Sequence, residues 1–158
     1  MGIRYYAYPI TAEDYPRALE NPCAFHGADP LMDAWGPIAE QPEMLYLDKC
    51  WRHLQVLLGP TTEGERRPAS RLVEGDVTMT GEGWLPHEQV LSPAEVREIA
   101  VDLAVVGEAH VRDAMPDLPS WDRDGSEEFD YVMEYLAKAQ EFTAALARTG
   151  RGLIYLIG

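Results

Sequence analysis

The sequence predicts an α+β protein, a single domain over residues 1–158 in which about three main helices cover a mixed or antiparallel sheet that includes both terminal strands. Three observations lead to this fold class: strand-like stretches at the two ends of the chain, helical periodicity between them, and strong capping signals before two helices. A chain of 158 residues can bury about 70% of its unfolded surface, which suffices for one core.

The N-terminal segment GIRYYAYPI, residues 2–10, is rich in tyrosine and isoleucine and predicts a first strand. Its aromatic side chains alternate onto the two faces of the strand, so both faces of the sheet should be covered. Thr11 is expected to cap a short helix. The frequent prolines and glycines of residues 23–42 then predict a long irregular loop, which Leu31 and Trp35 attach to the core.

The segment YLDKCWRHLQVLLG, residues 46–59, has apolar side chains at helical spacing. These side chains are Leu47, Cys50, Trp51, Leu54, Leu57 and Leu58. The spacing predicts an amphipathic helix over residues 47–58. Gly59 and Pro60 should end it, because glycine accepts a left-handed cap and proline cannot continue the hydrogen-bond ladder.

Two short strands and a helix are predicted next. RLVEGDVTMT, residues 71–80, alternates apolar and polar residues near its end, which predicts a strand or hairpin, and HEQVL, residues 87–91, predicts a second short strand. Ser92 and Glu95 then form a capping box with Pro93 at the first helical position. This combination predicts a helix that begins at Pro93.

The C-terminal part of the chain predicts a long helix followed by a strand. Gly107 should separate the preceding helix from a shorter one. Asp124 and Glu127 make a second capping pair ahead of a helix over about residues 126–149. The final apolar run LIYLI, residues 153–157, has strand length and predicts a central strand of the sheet.

The charge balance restricts the kinds of partner. Twenty-seven acidic against thirteen basic residues give a formal net charge of −14. Such a surface repels the phosphates of nucleic acid and an anionic membrane leaflet. It attracts a basic protein or a cationic small molecule. We therefore expect no nucleic acid and no membrane among the partners.

The sequence predicts a cytoplasmic protein. No apolar run approaches the roughly 18 residues of a membrane helix, and the first residues lack the apolar middle of a signal peptide. Tyr6 stands where a myristoylation signal requires serine or threonine. The two cysteines, Cys23 and Cys50, fit a reducing compartment better than a disulfide framework.

The predicted helix 47–58 carries several reactive side chains without forming a catalytic set. At about 100° per residue, Asp48 and His53 point roughly 140° apart, so they should not share a proton. Asp48 and Arg52 lie one turn apart and should form an exposed ion pair that contributes about 0.3–0.5 kcal/mol. His53, at the margin of the apolar face, is interpreted as a structural histidine. We predict no catalytic residue.

Two candidate metal motifs are incomplete. Cys23 and His26 have C-x-x-H spacing, but a closed zinc site needs four ligands and the sequence has no second pair at usable spacing. A calcium-like loop starting at Asp122 has Glu127 in place of glycine at its sixth position and Met133 in place of glutamate at its twelfth. We therefore predict neither a metal nor another cofactor.

Three stretches resemble the YfbM-like family of small bacterial proteins, a domain of unknown function. They are YLDKCWRHLQVLL, VLSPAEVREIA and GRGLIYLIG, residues 46–58, 90–100 and 150–158. The resemblance spans nearly the whole chain. It implies a stand-alone cytoplasmic protein, and it implies no particular reaction.

The resemblance also indicates where a shared site should lie. Asp48, Lys49 and Trp51 match the family pattern, which places such a site beside the start of the predicted helix. With Arg52 from the same segment and Trp84 from the glycine-rich loop GEGWLP, the candidate binding residues are Asp48, Lys49, Arg52 and Trp84.

The leading functional hypothesis is a non-enzymatic binding protein, an acidic partner of a basic protein in the manner of an immunity or antitoxin factor. The alternative is a small-molecule-binding enzyme or sensor with a pocket beside the 47–58 helix. A third hypothesis is a zinc protein that uses Cys23 and His26.

Overall fold

The computed structural model describes residues 2–59, 64–120 and 124–158. The strands are β1 Tyr5–Ile10, β2 Leu45–Asp48, β3 Thr78–Thr80, β4 Gly83–Leu85, β5 His87–Leu91 and β6 Gly152–Ile157. The α-helices are α1 Tyr15–Glu20, α2 Pro30–Trp35, α3 Trp51–Leu57, α4 Pro93–Leu103, α5 Glu108–Ala114 and α6 Gly125–Arg148. Short 3-10 helices cover Pro22–Phe25, Ile38–Glu40, Pro68–Val73 and Met115–Asp117.

The main sheet has four antiparallel strands in the order β2-β1-β6-β5. The two terminal strands therefore pair with each other at its centre, in a register that runs from Tyr5 opposite Ile157 to Ile10 opposite Gly152. The predicted α+β class, the antiparallel sheet and the place of both terminal strands in it are confirmed. Strands β3 and β4 form a separate two-stranded hairpin.

Each face of the sheet carries its own apolar cluster. On one face, side chains of the strands pack against α3, α4 and α6. This face includes Tyr5, Ala7, Leu45, Leu47, Leu153, Tyr155 and Ile157. The opposite face packs against α1 and α2, and it includes Tyr6, Tyr8, Ile10, Ile154 and Leu156. Because side chains alternate along a strand, the apolar sequences of β1 and β6 fill both clusters.

The local capping signals agree with the structure. The Ser92 hydroxyl accepts from the Glu95 N–H and the Glu95 carboxylate accepts from the Ser92 N–H, both at 3.1 Å, at the start of α4. At the start of α6, Asp124 accepts from the N–H groups of Ser126 and Glu127. Gly150 ends the long helix with a left-handed φ of 63°.

None of the helices in the described parts of the chain is both long and apolar enough to cross a membrane. The longest, α6, buries one stripe and leaves another exposed and charged. Its Gln140 amide donates to the carbonyls of Leu103 and Val106, at 2.9 and 2.8 Å, and so satisfies backbone acceptors at the end of α4.

The predicted helix over residues 47–58 begins later than expected. Residues 45–48 form β2, the edge strand beside β1, and the helix α3 starts only at Trp51. Leu45 and Leu47 alternate onto the buried face, as a strand requires. Leu47 on β2 packs in the same core as Trp51 and Leu54 on α3. The sequence spacing of these three residues therefore resembles the apolar stripe of a single helix.

Two further segments differ from the prediction. The expected loop of residues 23–42 contains α2, which Asp29 caps by accepting from the Met32 N–H. Trp35 at its end is 60% exposed and therefore does not anchor the loop in the core. Within residues 71–80, only the last three form strand β3, because the first residues belong to a 3-10 helix that Pro68 begins.

We expect the Arg67–Asp102 pair to stabilise the contact between this 3-10 helix and α4. Arg67 donates two hydrogen bonds to Asp102, at 2.9 and 3.1 Å, and the Ala69 N–H donates a third. Both charged side chains are largely buried. Arg67→Met should lower the free energy of unfolding by about 1–2 kcal/mol, measured by urea denaturation.

Arg71 offers a matched control for this prediction. Its pair with Glu98 links the same two elements, but about half of each side chain is exposed. Arg71→Met should therefore change the free energy of unfolding by less than about 0.5 kcal/mol. Equal effects of the two substitutions would show that the buried geometry at Asp102 contributes nothing.

Candidate functional site

The most polar constellation near the core surrounds the carboxylate of Asp48, the last residue of β2. Its Oδ1 accepts hydrogen bonds from Arg4 Nε at 3.1 Å and from the Tyr46 hydroxyl at 3.0 Å. Its Oδ2 accepts from the Tyr131 hydroxyl at 2.8 Å. We name Arg4, Tyr46, Asp48 and Tyr131 the Asp48 cluster. It joins β1, β2 and α6 at one end of the sheet.

The backbone of Asp48 is left-handed, with a φ of 48°. No other residue except glycine has a positive φ in the described parts of the chain. Aspartate tolerates this conformation better than most residues, at a modest cost in energy. The pairing of β1 with β2 shifts register at the same place, between Tyr5 and Tyr6. The chain thereby leaves the sheet and turns into α3.

The charge state of the Asp48 cluster is set by hydrogen bonding. Burial alone raises the pKa of Asp48, but hydrogen bonds from Tyr131, Tyr46 and the Lys49 N–H, together with the charge of Arg4, lower it below its usual value. Burial and the neighbouring Asp48 raise the pKa of Tyr131. At neutral pH, Asp48 is therefore an ionised acceptor and Tyr131 a protonated donor.

Aromatic side chains extend the Asp48 cluster toward α2. Trp35 Nε1 donates to the Tyr46 hydroxyl at 3.1 Å, and the Arg4 guanidinium lies 5.2 Å from the centre of the Trp35 ring. On the other side, Tyr131 meets Tyr135 edge to face at 5.0 Å. These contacts connect elements on both faces of the sheet around the exposed end of β2.

Tyr131 also contacts a buried hydrogen-bonded pair, His53 and Glu128. His53 Nε2 and Glu128 Oε1 form a short contact in the core, where His53 is fully buried and Glu128 is 3% exposed. The His53 ring meets Tyr131 edge to face at 5.6 Å. The prediction that His53 lies at the margin of the apolar face is therefore wrong. Asp48 and His53 both contact Tyr131, because Asp48 lies on a strand and not on the helix.

An open groove runs along the outer edge of β2. Its volume is about 540 Å³, and we name it the β2 groove. One wall comes from α2 and the segment after it, the floor from β2 and the residues before it, and the other wall from α6. The lining residues are Ala34, Ile38, Gln41, Glu43, Met44, Leu45, Tyr46, Lys138, Glu141, Phe142 and Ala145.

Comparison with known proteins identifies the family. The profile of the family described as a domain of unknown function, DUF1877, matches residues 1–156. The chain belongs to the DUF1877 family. No curated protein matches the chain.

One solved structure of similar fold is YfbM from Escherichia coli, a protein of unknown function. It is 18% identical to this DUF1877 chain, covers 99% of it over its own full length and superposes with a TM-score of 0.60. The predicted resemblance to YfbM-like proteins is confirmed. At this identity the comparison shows a shared fold.

In this DUF1877 fold, the candidate residues from the sequence do not form one site. Asp48 is the member that belongs to the Asp48 cluster. The Lys49 side chain packs closely against Gly2. A side chain at position 2 would collide with it, since a Cβ there would lie 2.6 Å from Lys49 Cε. The predicted Asp48–Arg52 pair is wrong, since Asp48 pairs with Arg4 while Arg52 pairs with Asp76 and stacks on Trp51.

Trp84, the fourth candidate residue, lies in a different part of the molecule. It pairs with Met79 across the β3–β4 hairpin, outside the four-stranded sheet of this DUF1877 fold, and is 40% exposed. The second loop tryptophan of the sequence, Trp121, lies outside the described residues.

The residues of the zinc motif have other partners in this DUF1877 chain. Cys23 Sγ contacts Asn21 Oδ1 at 3.0 Å, and His26 Nε2 lies 3.0 Å from Glu88 Oε1. Cys23 is exposed and Cys50 is buried, and no disulfide joins them. Over residues 2–59, 64–120 and 124–158, no three histidine, cysteine or acidic side chains are grouped to hold a metal ion. The calcium-like motif begins at a residue outside these ranges.

The sequence did not predict three members of the Asp48 cluster, Arg4, Tyr46 and Tyr131, or the buried Glu128 beside it. Glu128 had a readable signal, because it lies four residues before Val132 on the buried stripe of α6. An acid at an apolar position of a helix indicates a buried partner. Arg4 and Tyr131 had no comparable signal, since their partners come from distant parts of the chain.

Proposed function

We propose that this DUF1877 protein is a non-enzymatic binding protein for a basic protein partner, in the manner of an acidic immunity or antitoxin factor. The observation that carries the proposal is that most of its basic side chains are already paired with acids of the same chain. Nine arginine and lysine side chains in the described ranges are held in ion pairs within the chain. They are Arg4, Arg17, Arg52, Arg66, Arg67, Arg71, Arg112, Lys138 and Arg151.

The surplus of acid therefore remains available to a partner. Acidic residues outnumber basic ones by 27 to 13, and intramolecular pairing uses the two signs equally. The exposed surface of α6 illustrates the result, since Glu127, Asp130, Glu134 and Glu141 outnumber the two exposed basic residues, Lys138 and Arg148. A surface of this sign steers a basic protein toward itself and repels nucleic acid.

The geometry of Asp48 supports a structural role for the Asp48 cluster. An ionised carboxylate offers about four acceptor positions. Asp48 uses them for Arg4, Tyr46, Tyr131 and the Lys49 N–H. The cluster thereby anchors β2 to α6 and keeps the surrounding surface rigid, which lowers the entropic cost of binding. We propose a cytoplasmic location for the complex, because both cysteines suit a reducing compartment.

Affinity purification of the tagged full chain from its native cells tests this function. We expect a stoichiometric protein partner with a high isoelectric point. Raising the ionic strength from about 0.01 M to 1 M shortens the Debye length from about 30 Å to 3 Å and should release that partner. An acidic partner, a complex that high salt leaves intact, or no stoichiometric partner would contradict the proposal.

A second candidate function, a small-molecule-binding enzyme or sensor, is favoured by the left-handed backbone of Asp48. Strained conformations concentrate at functional sites, and this one stands beside several convergent polar groups. Tyr135 provides the test. Burial and the charge of Asp48 raise its pKa, and its hydroxyl forms no hydrogen bond within the described parts of the chain.

Tyr135→Phe should unfold at the temperature of the unmodified protein. A small molecule that raises the unfolding temperature of the unmodified protein but not of Tyr135→Phe would support a ligand site there. Equal stabilisation of both proteins by each molecule that binds would place the ligand elsewhere.

A further inference from the structure

We infer that the β2 groove binds an extended segment of the basic partner, which pairs with β2 and continues the sheet as a fifth strand. The inference rests on the proposed function, because it states where and in which conformation the basic partner binds. Three observations carry it: the edge position of β2, the two walls that flank this edge, and the charge at the groove.

The first observation is the edge position of β2. In the order β2-β1-β6-β5, the strand β2 pairs with β1 on one side only. An edge strand presents backbone N–H and C=O groups that another chain can pair with. The floor of the groove includes Leu45 and Tyr46 of this strand. The Leu47 carbonyl already accepts from the Cys50 N–H at 2.8 Å, so the segment would pair with the start of this strand and the residues just before it.

The second observation is that the groove lies between the two layers that cover the sheet. Ala34 on α2 belongs to the apolar cluster on one face of the sheet, and Phe142 on α6 belongs to the cluster on the other face. A strand added to β2 would therefore continue the plane of the sheet between two existing walls. Ile38, which is 89% exposed, would contact the apolar side chains of such a segment.

Hydrogen bonds fix the wall formed by α2 and the segment after it in the absence of a partner. The Tyr8 hydroxyl donates to Asp33 on α2 at 2.8 Å. Trp35 donates to Tyr46 on β2, and the Gln41 amide donates to carbonyls of the α2 segment. Because this wall is already ordered, it loses little conformational entropy when a segment binds.

The third observation is charge, and it selects the occupant. Glu43 and Glu141 line the groove. Arg151 neutralises Glu43 through two hydrogen bonds, at 2.7 and 2.8 Å, whereas no ion pair within the described residues neutralises Glu141. Lys138, the basic residue of the lining, is paired with Glu134. The Glu141 carboxylate therefore attracts a segment in which lysine or arginine alternates with apolar residues. A second copy of this chain would bring the same acids together, with −14 on each side.

Selection of random twelve-residue peptides displayed on phage, with the intact protein as bait, tests the inference. The enriched peptides should carry basic residues at alternate positions. Glu141→Arg should weaken their binding about tenfold, because an attraction becomes a repulsion. Glu82→Arg makes the same change of charge at the exposed turn of the β3–β4 hairpin, outside the four-stranded sheet, and should leave the affinity within about twofold. Equal losses in the two variants would contradict a site in the groove.

Backbone pairing requires its own readout. Two versions of one selected peptide are compared, one N-methylated at the odd positions and the other at the even positions. Their affinities should differ sharply, because only one of these two sets of amides faces β2 in a strand ladder. The peptide should also slow amide hydrogen exchange in residues 43–47. Equal binding of the two methylated peptides, or protection confined to other segments, would overturn strand addition.

These outcomes separate the inference from the proposed function. A basic partner captured from native cells that binds Glu141→Arg unchanged and leaves residues 43–47 unprotected would refute the groove and retain the function. No enriched peptide together with no basic partner would refute both. Sedimentation should show a monomer, since a dimer with protection at β2 would make a second copy the occupant.

Discussion

Replacing Asp48 by alanine should destabilise the protein by about 2–4 kcal/mol. The substitution removes the common acceptor of Arg4, Tyr46 and Tyr131, whose hydrogen bonds to it are partly buried. Alanine also tolerates the φ of 48° worse than aspartate does. The free energy of unfolding from urea denaturation measures the loss, and a loss below about 0.5 kcal/mol would show that the Asp48 cluster contributes nothing to stability.

Two other substitutions separate the contributions of backbone and carboxylate. Asp48→Gly removes the carboxylate but accepts the left-handed backbone, so it should be about 1 kcal/mol more stable than the alanine variant. Asp48→Asn keeps an acceptor oxygen and a tolerance for positive φ, and it should be the least destabilised of the three. A glycine variant as stable as the unmodified protein would mean that strain outweighs the hydrogen bonds.

The same carboxylate should make stability depend on acidity. The pKa of Asp48 is lower in the folded protein than its usual value of about 3.9, so the unfolded chain binds more protons between the two pKa values. The contribution is therefore complete above about pH 5 and is lost as the pH falls through the folded pKa. Asp48→Asn should lose less stability than the unmodified protein between about pH 5 and pH 2. If the stabilities of the two proteins fell in parallel with pH, the lowered pKa of Asp48 would be contradicted.

Replacing Glu128 by leucine should destabilise the protein by about 3 kcal/mol, because it leaves the buried His53 without its carboxylate partner. Replacing both His53 and Glu128 by leucine should recover much of this loss, since an apolar pair of similar volume has no polar group to desolvate. Thermal unfolding of the two single variants and the double variant gives the coupling energy between the two side chains.

The exposed pair of Glu134 and Lys138 on the same helix is the control. Its removal by Glu134→Ala should cost less than about 0.5 kcal/mol. A double leucine variant whose loss equals the sum of the two single losses would show that His53 and Glu128 are not coupled. In that case the buried contact would contribute no more than its packing.

Elements with local signals could be predicted well from the sequence. The capping box of Ser92 and Glu95 and the cap at Asp124 depend on residues within three positions of each other. Strands β1 and β6 could be predicted because their apolar side chains must be covered on both faces, wherever they lie in the sheet. These features are set by short-range sterics and by hydrophobicity, which a single segment carries.

The Asp48 segment shows where such reasoning fails. Leu47 and Trp51 have helical spacing, yet Leu47 lies on a strand and Trp51 on a helix that share one core. Periodicity records which side chains are buried but not which backbone buries them, so a strand followed directly by a helix can resemble one longer helix. The prediction therefore placed Asp48 on a helix and not at the edge of the sheet, where it meets Arg4, Tyr46 and Tyr131.

The sequence by itself determined the fold class, the place of both terminal strands in the sheet, the caps of the long helices and the acidic charge, because composition and short-range pattern suffice for each of these. Tertiary structure alone decided the Asp48 cluster and the β2 groove. Arg4, Asp48 and Tyr131 are separated by 44 and 83 residues along the chain. No local pattern specifies such a meeting, because it depends on strand order and on how α6 packs against the sheet.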